Sequence, residues 1–357
     1  MRRRLSLVRR EMQRRGFDAY ITVQSVRYLS GTDAGKAVIV ALDEDPVMIC
    51  SRLELGRAKT ESAIKNVIAF SSWKTPLMRG ERVLFCEPWK IIVECLREAG
   101  ARVIGFDVLS RETVRKMRVA HDASYRSAPD LVLEVRKVKF PDELALLRRS
   151  AMIASKGMRC AAECISQGIS EIELAAEVER EMRRAGSDGT PFGTVVASGP
   201  NSWMPHAGAG DRRIRKGDLV VVDLGATYRG YASDMTRTFS VGASGKAEKL
   251  VQAVKKAQTA ALKLVRDGKM ARDVDGEARR VIGQAGYSRF CLHGSGHGVG
   301  LDIHELPSLS PVSKDVLKRN MVLTVEPGVY VPGLGGARWE DTVRVMKSGY
   351  SQLTVFR

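Results

Sequence analysis

The chain has 357 residues, 44% of them hydrophobic and 28% charged, which suits a water-soluble globular protein with room for two domains. No apolar run approaches the roughly 18–20 residues that span a bilayer, so no membrane partner is expected. A formal net charge of +17 attracts anions, but the basic residues are scattered among acids with no aromatic-interleaved basic tract, so a solvated basic surface is expected and nucleic acid is not.

Met1–Leu5 carries three arginines and lacks the apolar centre of a secretory signal. The arginines also fit a mitochondrial transit peptide. However, Leu5, Val8 and Met12 fall at helical spacing, so the arginines are read as the wet face of a first helix and a cytoplasmic location is expected. Strands are predicted at Ala19–Val23, Ala37–Leu42, Pro46–Cys50, Val67–Phe70, Arg82–Phe85 and Val103–Phe106, and helices at Pro88–Ala99 and Arg111–Val119. This is an α/β domain over residues 1–125, without a phosphate loop or a cluster of catalytic residue types. The polar, turn-prone stretch His121–Pro129 is the expected linker into a second domain, residues 126–357.

In that second domain a long helix begins near Pro141-Asp142-Glu143. Another follows the capping box Ser170-Glu171-Ile172-Glu173 and stops at Gly186. From Thr194 the chain reads as strand and turn, interrupted by helices near Lys246–Asp267 and Ala271–Ala285, so the class is α+β. Six cysteines form no C-x-x-C pair. The spacing of Cys160 and Cys164 admits a metal, but small core positions are the simpler reading, and reduced thiols are expected.

The chemistry concentrates in two predicted hairpins. Leu219–Gly225 is an apolar strand with one acid, Asp223, and Tyr231–Phe239 returns with Asp234. A turn centred on Tyr228–Arg229 would set Asp223 opposite Asp234, where like charges are destabilising unless a cation separates them. Downstream, Val322–Glu326 and Arg338–Val343 flank a Gly-rich turn, and a hairpin centred on Gly333 sets Glu326 opposite Glu340. A single facing pair also fits a carboxyl dyad sharing a proton, whereas two pairs in one domain favour metal.

Between the hairpins lies His293-Gly294-Ser295-Gly296-His297-Gly298-Val299-Gly300-Leu301-Asp302-Ile303-His304-Glu305, which holds three of the chain's five histidines. Val299 stands where a dinucleotide fingerprint needs its third glycine. Four carboxylates with at least one imidazole suit Mn²⁺, Co²⁺, Fe²⁺ or Zn²⁺ rather than a thiolate metal. Bridging carboxylates hold two ions about 3.5–4 Å apart, a pair that deprotonates a shared water and polarises a scissile carbonyl. The expected reaction is metal-assisted hydrolysis.

Four blocks resemble the creatinase/aminopeptidase, or pita-bread, metallopeptidases, a family that includes prolidase, aminopeptidase P and methionine aminopeptidase. They are D-L-G-A…G-Y-x-S-D-x-T-R-T-F (Asp223–Phe239), G-H-G-V-G-L-D-I-H-E (Gly296–Glu305), V-E-P-G (Val325–Gly328) and R-x-E-D (Arg338–Asp341). The resemblance implies a small N-terminal α/β domain followed by a C-terminal pita-bread domain. It further implies that Asp223, Asp234, His297, Glu326 and Glu340 bind two divalent metal ions, Mn or Co first, with Zn or Fe as alternatives. Asp234 and Glu340 would bridge the ions, and Glu326 would take the proton of the bridging water as it attacks. His206 would contact substrate, His304 would stabilise the carbonyl oxygen, and Arg338 would sit beside the metals. Supporting roles are implied for His293 and Tyr231, while His121 lies outside every motif and is read as structural.

The N-terminal domain, Arg136-Lys137-Val138-Lys139 with Asp142-Glu143, and the wording L-D-I-H-E resemble the proline-specific branch. The implied activity is hydrolysis of peptides with proline in the second position, by a prolidase or an aminopeptidase P, in a homodimer. Two residues depart from the family pattern. Trp339 replaces a smaller aliphatic residue, and Ser308 stands where some prolidases have an arginine thought to hold the substrate's carboxylate, which leaves room for longer peptides. Alternative readings are an aminopeptidase without proline specificity, a metal-free creatinase-type hydrolase, and a non-catalytic relative that binds histones or RNA. Intact ligand positions weigh against the last two.

Overall fold

A computed structural model describes residues 1–356, which form two compact units, Met1–Val135 and Arg136 onward. In the first unit, helix Arg2–Arg15 buries Leu5, Val8 and Met12, as their spacing predicts, and ends on Gly16 at φ 70. Seven strands make one mixed sheet in the order Val83–Leu84, Asn66–Phe70, Val47–Ser51, Ala37–Ala41, Ala19–Thr22, Val103–Phe106 and Ser124–Ser127. Ala19–Thr22 runs antiparallel to Ala37–Ala41 and parallel to Val103–Phe106. Ile21, Ile39, Ile49 and Ile104 pack with Ile91 and Leu96 of helix Pro88–Glu98 and Met117 of helix Arg111–Ala120.

The seventh strand corrects the sequence reading, because Ser124–Ser127 falls inside the expected linker His121–Pro129. Only Tyr125 of its four residues is buried, so it carries almost no apolar signal, yet it pairs in parallel with Val103–Phe106. The Tyr125 ring meets the ring of His121 edge-on, and its hydroxyl lies 3.1 Å from His121 Nδ1, which gives that histidine a packing role. With this strand in the sheet, the first unit extends to Val135 rather than stopping at residue 125.

The second unit pairs each of two sheets with two helices. Met235–Val241, Asp218–Leu224 and Val195–Ser198 form the first sheet, and its Val220, Val222 and Leu224 pack on helices Pro141–Cys164 and Glu171–Arg184. The second sheet runs Glu305–Leu309, Gly296–Gly298, Val322–Val325, Asp341–Val345 and Tyr350–Gln352. Its Leu323, Val325 and Val343 pack on helices Lys246–Leu262 and Ala271–Gln284. This is the pita-bread arrangement, and the period of two along a strand explains where its acids point. With Val220, Val222 and Leu224 on one helix layer, Asp223 takes the opposite face. With Leu323 and Val325 on the other, Thr324 and Glu326 do the same.

The caps follow the sequence. Ser170 Oγ accepts from Glu173 N at 3.3 Å, and Glu173 Oε2 accepts from Ser170 N at 2.8 Å. Trp339 lies partly buried against the second core, with Lys255 Nζ 4.0 Å and the Arg237 guanidinium 4.7 Å from its ring centre.

Candidate metal centre

The first hairpin turns one residue later than the sequence suggested. Thr227 pairs with Ala232 and Tyr228 with Tyr231, so the turn is Arg229–Gly230, with φ 48 and 82. Positive φ at both central residues is the hairpin-compatible turn, and Gly230 adopts it without steric cost. Asp223 therefore lies opposite Thr236, not Asp234. A slip of two positions preserves the side-chain parity, so both acids still line one cavity, as diagonal neighbours. In the second hairpin the pairs Val325–Asp341 and Gly328–Arg338 bracket Glu326 and Glu340 opposite one another, in the register expected.

Threonines knit the two hairpins together. Thr236 Oγ1 donates to Glu340 Oε2 at 2.6 Å, Thr342 Oγ1 donates to Asp234 O at 2.7 Å, and Glu340 N donates to Thr236 O at 3.1 Å. His297 enters from strand Gly296–Gly298, whose backbone runs so close to its neighbours that a Cβ at Gly296 would lie 2.1 Å from Thr324 O. Its Nδ1 faces the carbonyl of Gly298 at 3.1 Å and must donate there, which turns Nε2 toward the acids, 3.1 Å from Glu326 Oε1 and 3.5 Å from Asp234 Oδ2.

Among the described residues, the ligand atoms of Asp234, His297 and Glu340 lie within 4.8 Å of one another. Asp223 and Glu326 line the same cavity of about 700 Å³, as do His206, His293, His304 and Arg338. Arg338 is anchored on four sides. It donates to Asp223 Oδ2 at 2.6 Å, the Tyr330 hydroxyl at 2.7 Å, Thr236 Oγ1 at 3.1 Å and Pro205 O at 3.2 Å. Since Arg338 can only donate to Tyr330, the Tyr330 proton points on to His293 Nε2 at 2.9 Å, and His293 Nδ1 donates to Gly294 O at 2.7 Å.

The implied supporting residues divide. His293 lines the cavity, whereas Tyr231 is directed to Glu143 Oε1 at 3.1 Å and lies outside it. Cys160 and Cys164 bring their sulfurs to 3.8 Å elsewhere in the unit. Tyr330, Thr236 and Thr342 were missed in the sequence. Tyr330 follows V-E-P-G by two residues, a weak signal, and the threonines act only through pairing between distant segments.

The electrostatics call for a cation. Burial, then the charges of Glu340, Asp223 and Glu326, push the Asp234 carboxyl well above its ordinary 3.8. Burial, then Glu326 and Asp223, push Glu340 well above 4.5. Burial also opposes ionisation of Glu326, but the hydrogen bond and charge of His297 prevail and hold it at about 2, while His297 is raised from 6.5 against its own burial. Asp223 Oδ1 and Glu340 Oε1 are buried with no hydrogen-bond partner. Hard oxygen donors left unpaired, one imidazole nitrogen and crowded negative charge fit divalent cations.

Residues 145–347 match Metallopeptidase family M24, and residues 4–138 match the Creatinase/Prolidase N-terminal domain. The chain belongs to Metallopeptidase family M24. This M24 protein is 34% identical to an Xaa-Pro dipeptidase of Pyrococcus furiosus over 99% of its own length and 98% of that protein's. Its structure superimposes on an Xaa-Pro dipeptidase from Bacillus anthracis with a TM-score of 0.91 at 30% identity, covering 99% of this chain and 98% of that one. An X-Pro aminopeptidase from Thermotoga maritima gives a TM-score of 0.83 at 29% identity over 98% of both chains.

Proposed function

We propose that this metallopeptidase hydrolyses Xaa-Pro bonds at the N-terminus of peptides, using two divalent ions held by Asp223, Asp234, His297, Glu326 and Glu340. The observation that carries this reading is the convergence of four carboxylates and one imidazole nitrogen in a single cavity, with two of their buried oxygens unpartnered. Relatives that share the whole chain are named as Xaa-Pro dipeptidases or an X-Pro aminopeptidase, which supports proline specificity. Bound there, Mn²⁺ or Co²⁺ supplies Lewis acidity that acidifies water and polarises the scissile carbonyl.

The side chains supply the rest. Glu326 accepts the proton of the attacking water and passes it to the proline nitrogen as the C–N bond breaks. His304 stands exposed beside His297, with ring centres 4.4 Å apart, and donates a hydrogen bond to the carbonyl oxygen as negative charge develops on it. His206, on the same wall, contacts the substrate, and Arg338 fixes Asp223. Phe192, Val195 and Ile303 offer apolar surface for the proline ring.

Around the substrate's far end stand Ser308 and Ser310, while the one guanidinium of the lining, Arg338, is committed to four acceptors. This favours peptides longer than a dipeptide, whose terminal carboxylate lies further out. A homodimer in the cytoplasm completes the reading; among the described residues no helix is long and apolar enough to cross a membrane.

The test is to strip the protein with chelator, restore Mn²⁺ or Co²⁺, and follow an Xaa-Pro dipeptide and an Xaa-Pro-Xaa tripeptide by chromatography. Cleavage of either after the first residue supports the reading, and the faster substrate fixes the length preference. If neither is cut while a Met-Xaa peptide without proline is, proline specificity is wrong.

A further inference from the structure

His304 poses a positional problem. Its side chain makes no hydrogen bond among the described residues, and its closest ring neighbour is His297 in an edge contact. An imidazole held by nothing of its own takes its place from the backbone that carries it, and the next residue, Glu305, is gripped unusually tightly. The Glu305 side chain is 3% exposed; Lys139 Nζ donates to Oε2 at 2.9 Å, Arg136 Nη2 donates to Oε1, and the amide of Asp302 donates to Oε1 at 3.2 Å. Arg136 also donates to Asp302 Oδ2 at 2.8 Å, so one guanidinium closes the loop across the two residues that flank Ile303 and His304.

The remaining contacts anchor this clamp to the metal-binding strands. Lys139 N donates to Asn320 O at 3.1 Å, and Val138 pairs with Met321, just before strand Val322–Val325. Ala232 N, two residues before Asp234, donates to Gly300 O at 2.8 Å. Gly300 lies so near the carboxylate that a Cβ there would stand 2.3 Å from Glu305 Oε1.

We propose that Glu305, clamped between Arg136 and Lys139, is the positioning residue for His304, fixing the imidazole relative to the acids of the metal centre. The inference rests on the role of His304 proposed above. Helix-capping or ion-pair stabilisation alone would make the cluster structural; a positioning role requires its effect to pass through His304.

The deciding experiment is a double-mutant cycle on the Mn²⁺-loaded full chain, with an Xaa-Pro-Xaa peptide as substrate. Lys139→Met is expected to lower kcat by about 100-fold with KM and metal content little changed, since small misplacement of a reacting group costs on that order. Lys139→Arg is expected to recover most of the rate. In a His304→Ala background, Lys139→Met is expected to have no further effect. Losses that multiply in the double variant, or an unchanged kcat in Lys139→Met, overturn the inference while leaving the role of His304 standing. Full turnover in His304→Ala alone overturns that role and the inference together. If Lys139→Met does not fold, Asp302→Ala takes its place, because Asp302 is 59% exposed and its loss frees one arm of the clamp. A kcat loss that vanishes in the His304→Ala background supports the inference, and an unchanged kcat overturns it.

Discussion

Arg338 donates to Asp223 Oδ2 at 2.6 Å, and the other carboxylate oxygen of Asp223 is left buried in the site without a partner. The guanidinium thus aims one acid while three further hydrogen bonds aim the guanidinium. Lysine cannot reproduce this, because an ammonium lacks the planar fork. Arg338→Lys is expected to weaken Mn²⁺ binding about 10–100-fold, the usual cost of losing a group that orients a ligand. Isothermal titration into chelator-treated protein measures this, and an unchanged affinity would show that Asp223 holds its orientation unaided.

Burial and the charge of Glu340 raise the cost of ionising Asp234, and burial and the charges of Glu326 and Asp223 raise that of Glu340, at the centre of the cluster. Asp234→Ala and Glu340→Ala are each expected to lose at least one metal and nearly all turnover with folding intact. The metal-free Glu340→Gln protein is expected to melt no lower than metal-free wild type, because one of the crowded charges is gone. Metal analysis and thermal melts check both points. A fully active Asp234→Ala enzyme would remove that residue from the ligand set.

These pKa shifts give stability a definite pH dependence. Asp234 and Glu340 bind protons above their ordinary 3.8 and 4.5, and His297 above its ordinary 6.5, so these three groups hold more protons in the metal-free folded chain than in the unfolded one. Their contribution is present below those ordinary values and is lost as pH rises through the raised ones. Glu305 works in the opposite sense. Burial disfavours its charge, but Lys139 and Arg136 prevail and hold it below 4.5, so its contribution is lost only as pH falls beneath that value. Burial holds His121, His293 and His304 below their ordinary 6.5, and they oppose this trend, so the raised groups are isolated by comparison with a variant. Between about pH 6 and about pH 8 chelator-treated wild type is expected to lose melting temperature relative to chelator-treated Glu340→Gln, and saturating Mn²⁺ is expected to flatten the wild-type response. A metal-free wild type that tracks Glu340→Gln over that interval would contradict the linkage.

How far the sequence revealed this site depended on how local each contact is. Glu326 opposite Glu340 was legible because the glycines between them leave one place for the turn, with Gly333 at φ 79. Asp223 and Asp234 fall on the expected face but two positions out of register, because Arg229 adopts a positive φ that its side chain gives no reason to expect. The strand Ser124–Ser127 was hidden by its single buried residue. Tyr330 and the threonine links were hidden for another reason: Thr236 meets Glu340 across 104 positions of sequence, and no short-range pattern encodes that meeting.

Trp339 tests how much the departure from a smaller residue matters. Its ring is flanked by Lys255 at 4.0 Å and Arg237 at 4.7 Å, and Arg237 also donates to the carbonyl of Glu340 and to Asp341 Oδ1 at 2.7 Å. Trp339→Leu is expected to cost about 1–2 kcal/mol of stability through the lost cation–π contacts. Turnover should fall only modestly, since Arg237 keeps its hydrogen bonds. Denaturant melts and steady-state rates separate the two effects; a collapse of activity at unchanged stability would mean that Trp339 itself orients Glu340.

Ser308 is paired with His297 across the sheet and lines the cavity, so a side chain there looks onto the substrate. In the proposed reading a dipeptide would present its free carboxylate near this wall, where the serine offers a neutral hydroxyl. Ser308→Arg supplies a planar cation, and a charge-assisted hydrogen bond contributes about 1.5–3 kcal/mol. The KM for an Xaa-Pro dipeptide is accordingly expected to fall roughly 10–100-fold, with kcat little changed, because the new contact forms equally in ground and transition states. The tripeptide, whose carboxylate lies one residue further out, should gain less. Steady-state kinetics on both substrates decide the matter: equal gains would place Ser308 outside carboxylate recognition, and a selective gain for the dipeptide would identify it as a determinant of peptide length.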